Sequence, residues 1–276
     1  MAHLSCRLPE GLWRALSEKA QRDGEPVGHI VSRALAAYLR VKHATLYQVS
    51  TSSALVEGVY QGAVRIATLR QHGNLGLGTF DHLDGEMVVV DDEFFQVRSD
   101  GSVSRAADNL LSPFAVVVDF RPDRFRSLEH CANLAQLEEG FEALRDSQNF
   151  VFALRVDGRF SHVRTRAMCR SEEGAPLAAA AAHQPEFEFG PAEGTMVGFW
   201  SPQYIKTLNV PGYHMHFLDR ERRRGGHLLE FAGDGLTLAC ERISSLMVAL
   251  PETEEFVKAD FSGDPSAALA YAEKAH

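Results

Sequence analysis

The sequence has no long hydrophobic run and few cysteines. No stretch of about 18 consecutive apolar residues occurs, so no membrane-spanning helix is expected. The first residues, MAHLSCRLPEGLW, lack the apolar centre of a secretory signal peptide. The four cysteines are scattered, and none forms a C-x-x-C pair. This usage predicts a reducing cytoplasm and argues against both a disulfide framework and a cysteine zinc site.

Positive charge is also scarce, and it is unevenly distributed. The chain of 276 residues has 28 Lys and Arg against 37 Asp and Glu, a net charge of −9. This balance argues against a protein whose whole surface binds nucleic acid or anionic lipid. Residues 1–43 nevertheless carry seven Lys and Arg against four Asp and Glu (+3), which leaves 21 against 33 (−12) for the rest. The length is enough for one large domain or two smaller ones.

Residues 1–43 have a pattern of their own. AHLSCRL, residues 2–8, alternates apolar and polar side chains, which predicts a strand. Pro9 opens a helical pattern that RDGEP ends, and a second helix with an apolar stripe follows between Val27 and Tyr38. A strand, a helix, a turn and a helix in this order resemble a ribbon-helix-helix module. Such modules dimerise by pairing their strands and place the strand ribbon in the DNA major groove.

This resemblance leaves two interpretations of the module. The first is that it binds DNA, with His3, Ser5 and Arg7 facing the bases. The second is that it acts only as a dimerisation clasp, because just one of these three residues is cationic and the segment's charge is modest. A homodimer is expected in both cases.

Residues 44–276 read as a second, larger domain of many short strands. GEMVVVDDEFFQV predicts a hairpin that turns at Asp91 and Asp92. SLEHCANLAQLEEGFEALRD, residues 127–146, predicts one long amphipathic helix, and APLAAAAAHQPEF predicts a connecting helix or loop. Because helices do not regularly separate the strands, the predicted fold class is α+β with mixed β-sheets and packed helices.

Three histidines stand close together in PGYHMHFLDRERRRGGHLLEF, residues 211–231. In a strand, His214 and His216 would share one face while their neighbours face the apolar side. DRERRRGG suits a turn, and HLLEF suits a returning strand that begins at His227. Pairing of the two strands would bring three imidazoles together, which is typical of a catalytic zinc site with an open position. The alternative is that His-x-His arises by chance and only makes surface hydrogen bonds.

Longer motifs carry a family resemblance. HGNLGLGTFDHLDGEMVVVDDEFFQV, RFSHVRTR, QPEFEF and the stretch from EGTMVGFW to HLLEF together resemble the α-acetolactate decarboxylase family. The resemblance extends from about Leu46 to the C-terminus. It implies an enzyme with an acetolactate decarboxylase-like fold that uses Zn²⁺ to convert 2-acetolactate into acetoin and carbon dioxide. The implied zinc ligands are His214, His216 and His227.

The resemblance also implies roles for residues outside the histidine cluster. Glu86 of LDGEM and Arg166 of HVRTR match acid/base and positioning residues, and Thr79 of GLGTF matches a polar pocket residue. A further family glutamate falls on Glu273 in YAEKAH, where the local motif is weak. Arg164 stands where the family often has lysine.

The implied chemistry fits these residue types. Acetolactate is a β-keto acid, so loss of carbon dioxide moves electron density onto the ketone oxygen and gives an enediolate. Zinc would act as a Lewis acid for that charge, without thiamine, pyridoxal or a Schiff-base lysine. Glu86 would relay the proton, and Arg166 would hold the carboxylate or orient the reacting oxygens. The structural alternatives are a turn hydrogen bond for Glu86 and a solvated basic face shared by Arg166 with Arg159, Arg164 and Arg170.

Two other protein classes share parts of the pattern. The His-x-His pair with Glu221 after four intervening residues resembles a cupin metal motif, but His227 follows too soon to be a ligand from a distant strand. A metal- or metabolite-responsive ribbon-helix-helix regulator would explain the first 43 residues, yet the rest of the chain is longer than metal sensing needs. GNLGLG lacks the strand–helix context of a dinucleotide fingerprint and is discounted.

Overall fold

The computed structural model of the chain describes residues 5–24, 26–39 and 44–273. Contacts between residues divide the chain into two units, residues 1–43 and 44–276. None of the helices in the described ranges is both long and apolar enough to span a membrane. All four cysteines are free, as the sequence predicts.

The first unit contains two helices, α1 (Glu10–Asp23) and α2 (Val27–Leu39). Gly24 ends α1 in the left-handed conformation, and its N–H donates to the Ala20 carbonyl. Both predicted helices are therefore present. The predicted strand is absent from residues 5–8, the part of it that the structure describes, because one copy offers no second strand for it to pair with. His3 lies outside the described residues.

Both helices of this unit carry large apolar side chains that stay exposed. On α1 no residue is buried. On α2, Ile30 is buried. The exposed apolar side chains of the two helices are Leu12, Trp13, Leu35, Tyr38 and Leu39.

The second unit is built mainly from strands. In chain order its elements are β1 (Thr45–Val49), α3 (Ser52–Val56), β2 (Val64–Arg65), α4 (Ile66–Leu69), β3 (Leu75–Thr79), β4 (Glu86–Val90), β5 (Glu93–Val97), β6 (Val103–Arg105), β7 (Leu111–Ser112), β8 (Ala115–Val118), β9 (Arg124–Cys131), α5 (Leu134–Glu142), β10 (Val151–Arg166), α6 (Leu177–Ala181), β11 (Glu186–Phe189), β12 (Ala192–Ser201), β13 (Gly212–Asp219), β14 (Gly225–Ile243), β15 (Ser245–Ala249), α7 (Glu254–Lys258) and α8 (Ser266–Glu273).

Two large sheets organise this unit. The first has seven strands in the order β15-β1-β8-β3-β4-β5-β6, in which only β1 and β15 pair in parallel. The second has six strands in the order β11-β10-β12-β13-β14-β9, and a further pairing of β10 with β14 closes four of them into a ring. A short pair, β2 and β7, completes the strands of the described residues. The α+β class with mixed sheets is confirmed.

The main core lies between the sheets, because one buried cluster draws side chains from both. Val88 and Val97 of the seven-stranded sheet belong to it, together with Val197, Phe199 and Leu218 of the six-stranded sheet. At about 25 cal/mol per Å² of apolar surface, burial of this kind is the main favourable term in folding. The same packing brings β4 against β13 and β14, which positions the site described below.

The structure contains the predicted β4–β5 hairpin but only part of the predicted long helix. The hairpin of β4 and β5 is present, and Asp91 and Asp92 turn it with φ of 54° and 64°. The long helix predicted for residues 127–146 is wrong in its first half. Residues up to Cys131 belong to β9, which pairs with β14, and the helix begins only after Asn133, whose side chain accepts from the Gln136 N–H. Ladder pairing with β14 outweighs the helical pattern there.

Candidate metal centre and active site

Three histidines meet where β13 and β14 pair. The antiparallel register places His216 directly opposite His227, and His214 lies two residues earlier on the same face of β13. Their ring centroids are 5.2–5.4 Å apart, and one nitrogen from each lies within 4.8 Å of the others. All three side chains are buried. The intervening Met215 and Phe217 face a separate apolar cluster, so the predicted alternation is confirmed.

The free ring nitrogens fit a metal ion. His216 Nδ1 lies 2.8 Å from the Met87 carbonyl oxygen, so this nitrogen carries the hydrogen and Nε2 keeps its lone pair. That Nε2 and His214 Nδ1 are buried without a hydrogen-bond partner among the described residues. Buried polar atoms normally have partners, and three converging imidazole nitrogens suit a divalent metal such as zinc.

Burial also keeps the imidazoles neutral. It lowers the pKa of His214 to about 3, with a smaller contribution from the charge of Arg166. The pKa values of His216 and His227 are lowered well below their usual range, again chiefly by burial. Neutral imidazole is the form that binds a metal, so the environment favours ligation over protonation.

Glu86 faces this cluster from the other sheet. It begins β4, opposite Thr79 of β3, and its side chain is buried. Its Oε1 accepts from the Met168 N–H at 3.0 Å, and its Oε2 lies 3.5 Å from His216 Nε2. Burial raises the pKa of Glu86 to about 7, so the carboxyl can both give and take a proton near neutral pH. These contacts exclude a mere turn hydrogen bond as its role.

Arg166 enters the cluster because β10 is irregular just before it. The register with β14 shifts between Arg164 and Thr165, and Arg166 then stands opposite His227. Arg166 is buried and donates to the Ala272 carbonyl, whereas Arg164 pairs with Glu186 and Glu230. Burial lowers the pKa of Arg166, although it stays a cation at neutral pH. Arg166 is therefore not part of a solvated basic face.

Thr79 and Glu273 complete the set predicted from the sequence. Thr79 Oγ1 donates to the Gly85 carbonyl at 2.7 Å, which leaves it able to accept one more hydrogen bond. Glu273, on α8, places Oε2 3.5 Å from His227 Nε2. Burial raises the pKa of Glu273 to about 7. The two helix neighbours Leu269 and Ala272 also reach this site.

All these residues except His216 line one small cavity of about 70 Å³. A larger surface cleft of about 780 Å³ contains none of them, and the arginines in its lining are already paired with carboxylates, such as Arg155 with Asp91. The chemistry therefore belongs to the small cavity, whose size suits a ligand of few atoms. The residues that line it are Leu55, Gly78, Thr79, Leu83, Glu86, Phe114, Arg166, Met168, Leu177, Gln184, Val210, His214, His227, Leu269, Ala272 and Glu273.

Some lining residues were not predicted from the sequence. Gln184 belongs to QPEFEF, a motif that contributes to the family resemblance without a stated role. Leu83 reaches the cavity from a turn in which it and His82 have φ of 58° and 56°, a conformation that bulky residues rarely adopt. No local pattern signals such a turn.

Comparisons with known proteins show the family to which this chain belongs. A family model described as Alpha-acetolactate decarboxylase matches residues 46–263. Curated relatives named alpha-acetolactate decarboxylase include one from Methanosarcina mazei, 40% identical over 216 residues that cover 78% of this chain and 75% of the relative. Another, from Raoultella terrigena, is 40% identical over 220 residues, 79% of this chain and 85% of the relative.

Solved structures resemble the chain over the same region. The crystal structure of alpha-acetolactate decarboxylase from Bacillus subtilis strain 168 has a TM-score of 0.81 and 32% identity, covering 84% of this chain and 100% of that chain. A Staphylococcus aureus protein of unknown function, described as similar to alpha-acetolactate decarboxylase, gives a TM-score of 0.80 at 27% identity. Residues 1–43 and Glu273 lie outside the range matched by the family model.

Proposed function

The chain belongs to the alpha-acetolactate decarboxylase family, and we propose that it decarboxylates 2-acetolactate to acetoin and carbon dioxide. The observation that carries this proposal is a cluster of three buried imidazoles, two of which, His214 and His227, line one small cavity together with Glu86 and Arg166. A metal- or metabolite-responsive regulator is not favoured, because the curated relatives matched over most of the chain carry the enzyme's name.

Zinc is the cofactor that we propose for this site. His214, His216 and His227 would hold it, since their nitrogens are neutral, buried and close enough to share one ion. When bound, zinc would act as a Lewis acid for the negative charge that decarboxylation develops. Imidazole also binds copper and nickel tightly, so the preference for zinc rests on ligand chemistry and geometry.

The remaining roles belong to side chains of this chain. Arg166 provides the fixed positive charge that binds and orients the anionic substrate. Loss of carbon dioxide leaves an enediolate, which must gain a proton on carbon to become acetoin. Glu86, whose Oε2 lies 3.5 Å from His216 Nε2, would deliver that proton from its protonated form. Glu273, across the same cavity, shares this exchange, and Thr79 accepts a hydrogen bond from the substrate.

Incubation with 2-acetolactate tests the proposal directly. We expect acetoin and carbon dioxide to appear in equal amounts, and a chelator to abolish the reaction until zinc is restored. Metal-loaded protein that leaves acetolactate unchanged would contradict the proposed activity. Activity that persists after complete metal removal would contradict the proposed cofactor alone.

We also propose that residues 1–43 join two copies of the chain as a ribbon-helix-helix-like clasp. The exposed apolar side chains of α1 and α2 support this proposal, because a second copy would bury them. DNA binding through His3, Ser5 and Arg7 is a separate and weaker proposal that rests on the resemblance. A cytoplasmic location is proposed from the four free cysteines.

A further inference from the structure

Gln184 lines the same cavity as His214 and His227, yet none of the roles above uses it. Its side-chain Oε1 is buried and has no hydrogen-bond partner in the part of the chain that the structure describes. A buried polar atom without a partner costs stability, so such an atom in a native protein needs a physical explanation. A ligand that completes its hydrogen bonds is one such explanation.

The neighbouring polar groups of the cavity are already bonded to the protein. Thr79 Oγ1 donates to the Gly85 carbonyl, Glu86 accepts from the Met168 N–H, and Arg166 donates to the Ala272 carbonyl. Gln184 differs from them because its side-chain oxygen has no hydrogen-bond partner among the described residues. A half-turn of the amide exchanges its oxygen and nitrogen at little cost, so it can present an N–H donor to a ligand.

The backbone places Gln184 beside Arg166. Strand β11 pairs with the end of β10, where Glu186 stands opposite Arg166, and the Pro185 carbonyl accepts from the Ala167 N–H at 3.3 Å. Proline restricts the residue before it to an extended backbone, which fixes the direction in which Gln184 leaves the strand. Gln184 and Arg166 therefore line the same small cavity, to which the permanent cation would draw an anionic group of a ligand.

We propose that Gln184 binds the carboxylate of the substrate together with Arg166, an inference that rests on the function proposed above. The guanidinium supplies the charge, and the neutral amide supplies a second, directional donor. The substrate carboxylate loses its charge when it leaves as carbon dioxide. A second cation beside it would therefore stabilise the bound substrate more than the transition state, which a neutral donor avoids. Gln184 is thus a specificity residue that distinguishes the acid from its neutral product.

A pair of matched ligands tests this assignment on the zinc-loaded full-length protein. Butane-2,3-diol is a neutral diol, and 2,3-dihydroxy-2-methylbutanoate is a related diol that carries a carboxylate and cannot lose carbon dioxide in the same way. Calorimetric titration gives both affinities without depending on turnover. In Gln184→Leu we expect the acid to bind about 10- to 100-fold more weakly, the loss of one hydrogen bond to a charged group, with diol affinity unchanged. The value of kcat/KM for acetolactate should fall by a similar factor.

Two further variants make the result decisive. Gln203→Leu removes an exposed glutamine outside the cavity and should leave both affinities at the wild-type value. Gln184→Glu keeps the shape of the side chain but repels a carboxylate, so it should weaken acid binding at least as much as Gln184→Leu. If the leucine variant does not fold, the affinity of Gln184→Glu for the acid tests the proposal instead. Equal weakening of diol and acid, or an unchanged affinity for the acid, would overturn the proposal. An inactive wild type would instead refute the decarboxylase function.

Discussion

At the scale of single residues, the histidine cluster offers neutral imidazole nitrogens, two of which have no hydrogen-bond partner among the described residues. We expect His214→Ala to lose bound metal and turnover together, because two imidazoles bind a divalent ion far more weakly than three. Elemental analysis and an acetoin assay on the purified variant measure both quantities. His130→Ala is the matched control, since this exposed histidine pairs with Asp234 away from the cavity. Full metal content with normal turnover in His214→Ala would remove this residue from the site.

Variants of Glu86 and Arg166 should lose turnover without losing the metal. Glu86→Gln cannot exchange a proton, and Arg166→Ala cannot hold an anion, so both should retain zinc while kcat/KM falls about 10²–10⁴-fold. Arg164→Ala is the control on the same strand, because its side chain pairs with Glu186 and Glu230 instead. We expect that control to stay within a few-fold of wild type. Loss of zinc in Glu86→Gln would indicate that this side chain supports the metal itself.

Site residues placed by local strand alternation are predictable from the sequence, whereas those placed by strand register or by distant strand pairing are not. His214, His216 and His227 follow from strand alternation and a short turn, so their meeting is predictable from spacing alone. Arg166 does not follow from alternation, because the shift in register beside Arg164 decides which way it points. Its place in the site was predicted only through the family motif. Gln184 depends on pairing between distant strands, which no local pattern encodes.

At the scale of elements, the glycines of GNLGLG serve strand packing. A Cβ on Gly76 would lie 2.3 Å from the Val116 carbonyl oxygen of the adjacent strand β8. Gly76→Ala should therefore force β3 and β8 apart and lower the free energy of unfolding by about 1–3 kcal/mol. Urea denaturation measures the change, and Gly263→Ala, where a Cβ would meet nothing within 4 Å, is the control. Wild-type stability in Gly76→Ala would mean that the two strands can separate without cost.

The predicted elements failed where tertiary pairing competed with a local pattern. Hairpin β4–β5 and the two strands of the histidine motif were predictable because short turns join them. HLLEF is predicted as a short returning strand, yet it belongs to the single strand β14, which continues to Ile243 and is long enough to pair with three partners. The same long strand recruits β9, which is why the helix predicted there begins late. Sequence patterns report local preference and cannot show how far a strand continues.

At the scale of the whole molecule, one half-buried carboxyl outside the site should make stability depend on pH. Burial raises the pKa of Glu241 from 4.5 to about 7, with Asp123 and Asp119 adding to the effect. The folded chain then binds this proton more tightly than the unfolded chain, so its contribution to stability falls as pH rises from 4.5 to 7. Glu241→Gln keeps the acceptor for the Arg121 N–H and cannot ionise.

We therefore expect Glu241→Gln to raise the free energy of unfolding at pH 8 by about 1–3 kcal/mol, with little change near pH 4.5. Urea denaturation at both pH values measures the difference. Glu252→Gln, at an exposed position, should alter neither value. An equal gain for Glu241→Gln at both pH values would mean that the ionisation of Glu241 is not coupled to folding.

The two units of the chain lead to the last prediction, which separates assembly from catalysis. Every residue proposed for zinc binding or catalysis lies at or beyond Thr79, so deletion of residues 1–43 should spare zinc binding and decarboxylation. The isolated segment should be a folded dimer in analytical ultracentrifugation, because its two helices leave apolar side chains that one copy exposes. Replacement of Leu35 by a charged residue should weaken that dimer, whereas replacement of Glu10 by Gln should not. An unfolded monomer would refute the clasp. DNA binding is tested separately: Arg7→Ala and added salt should each weaken it.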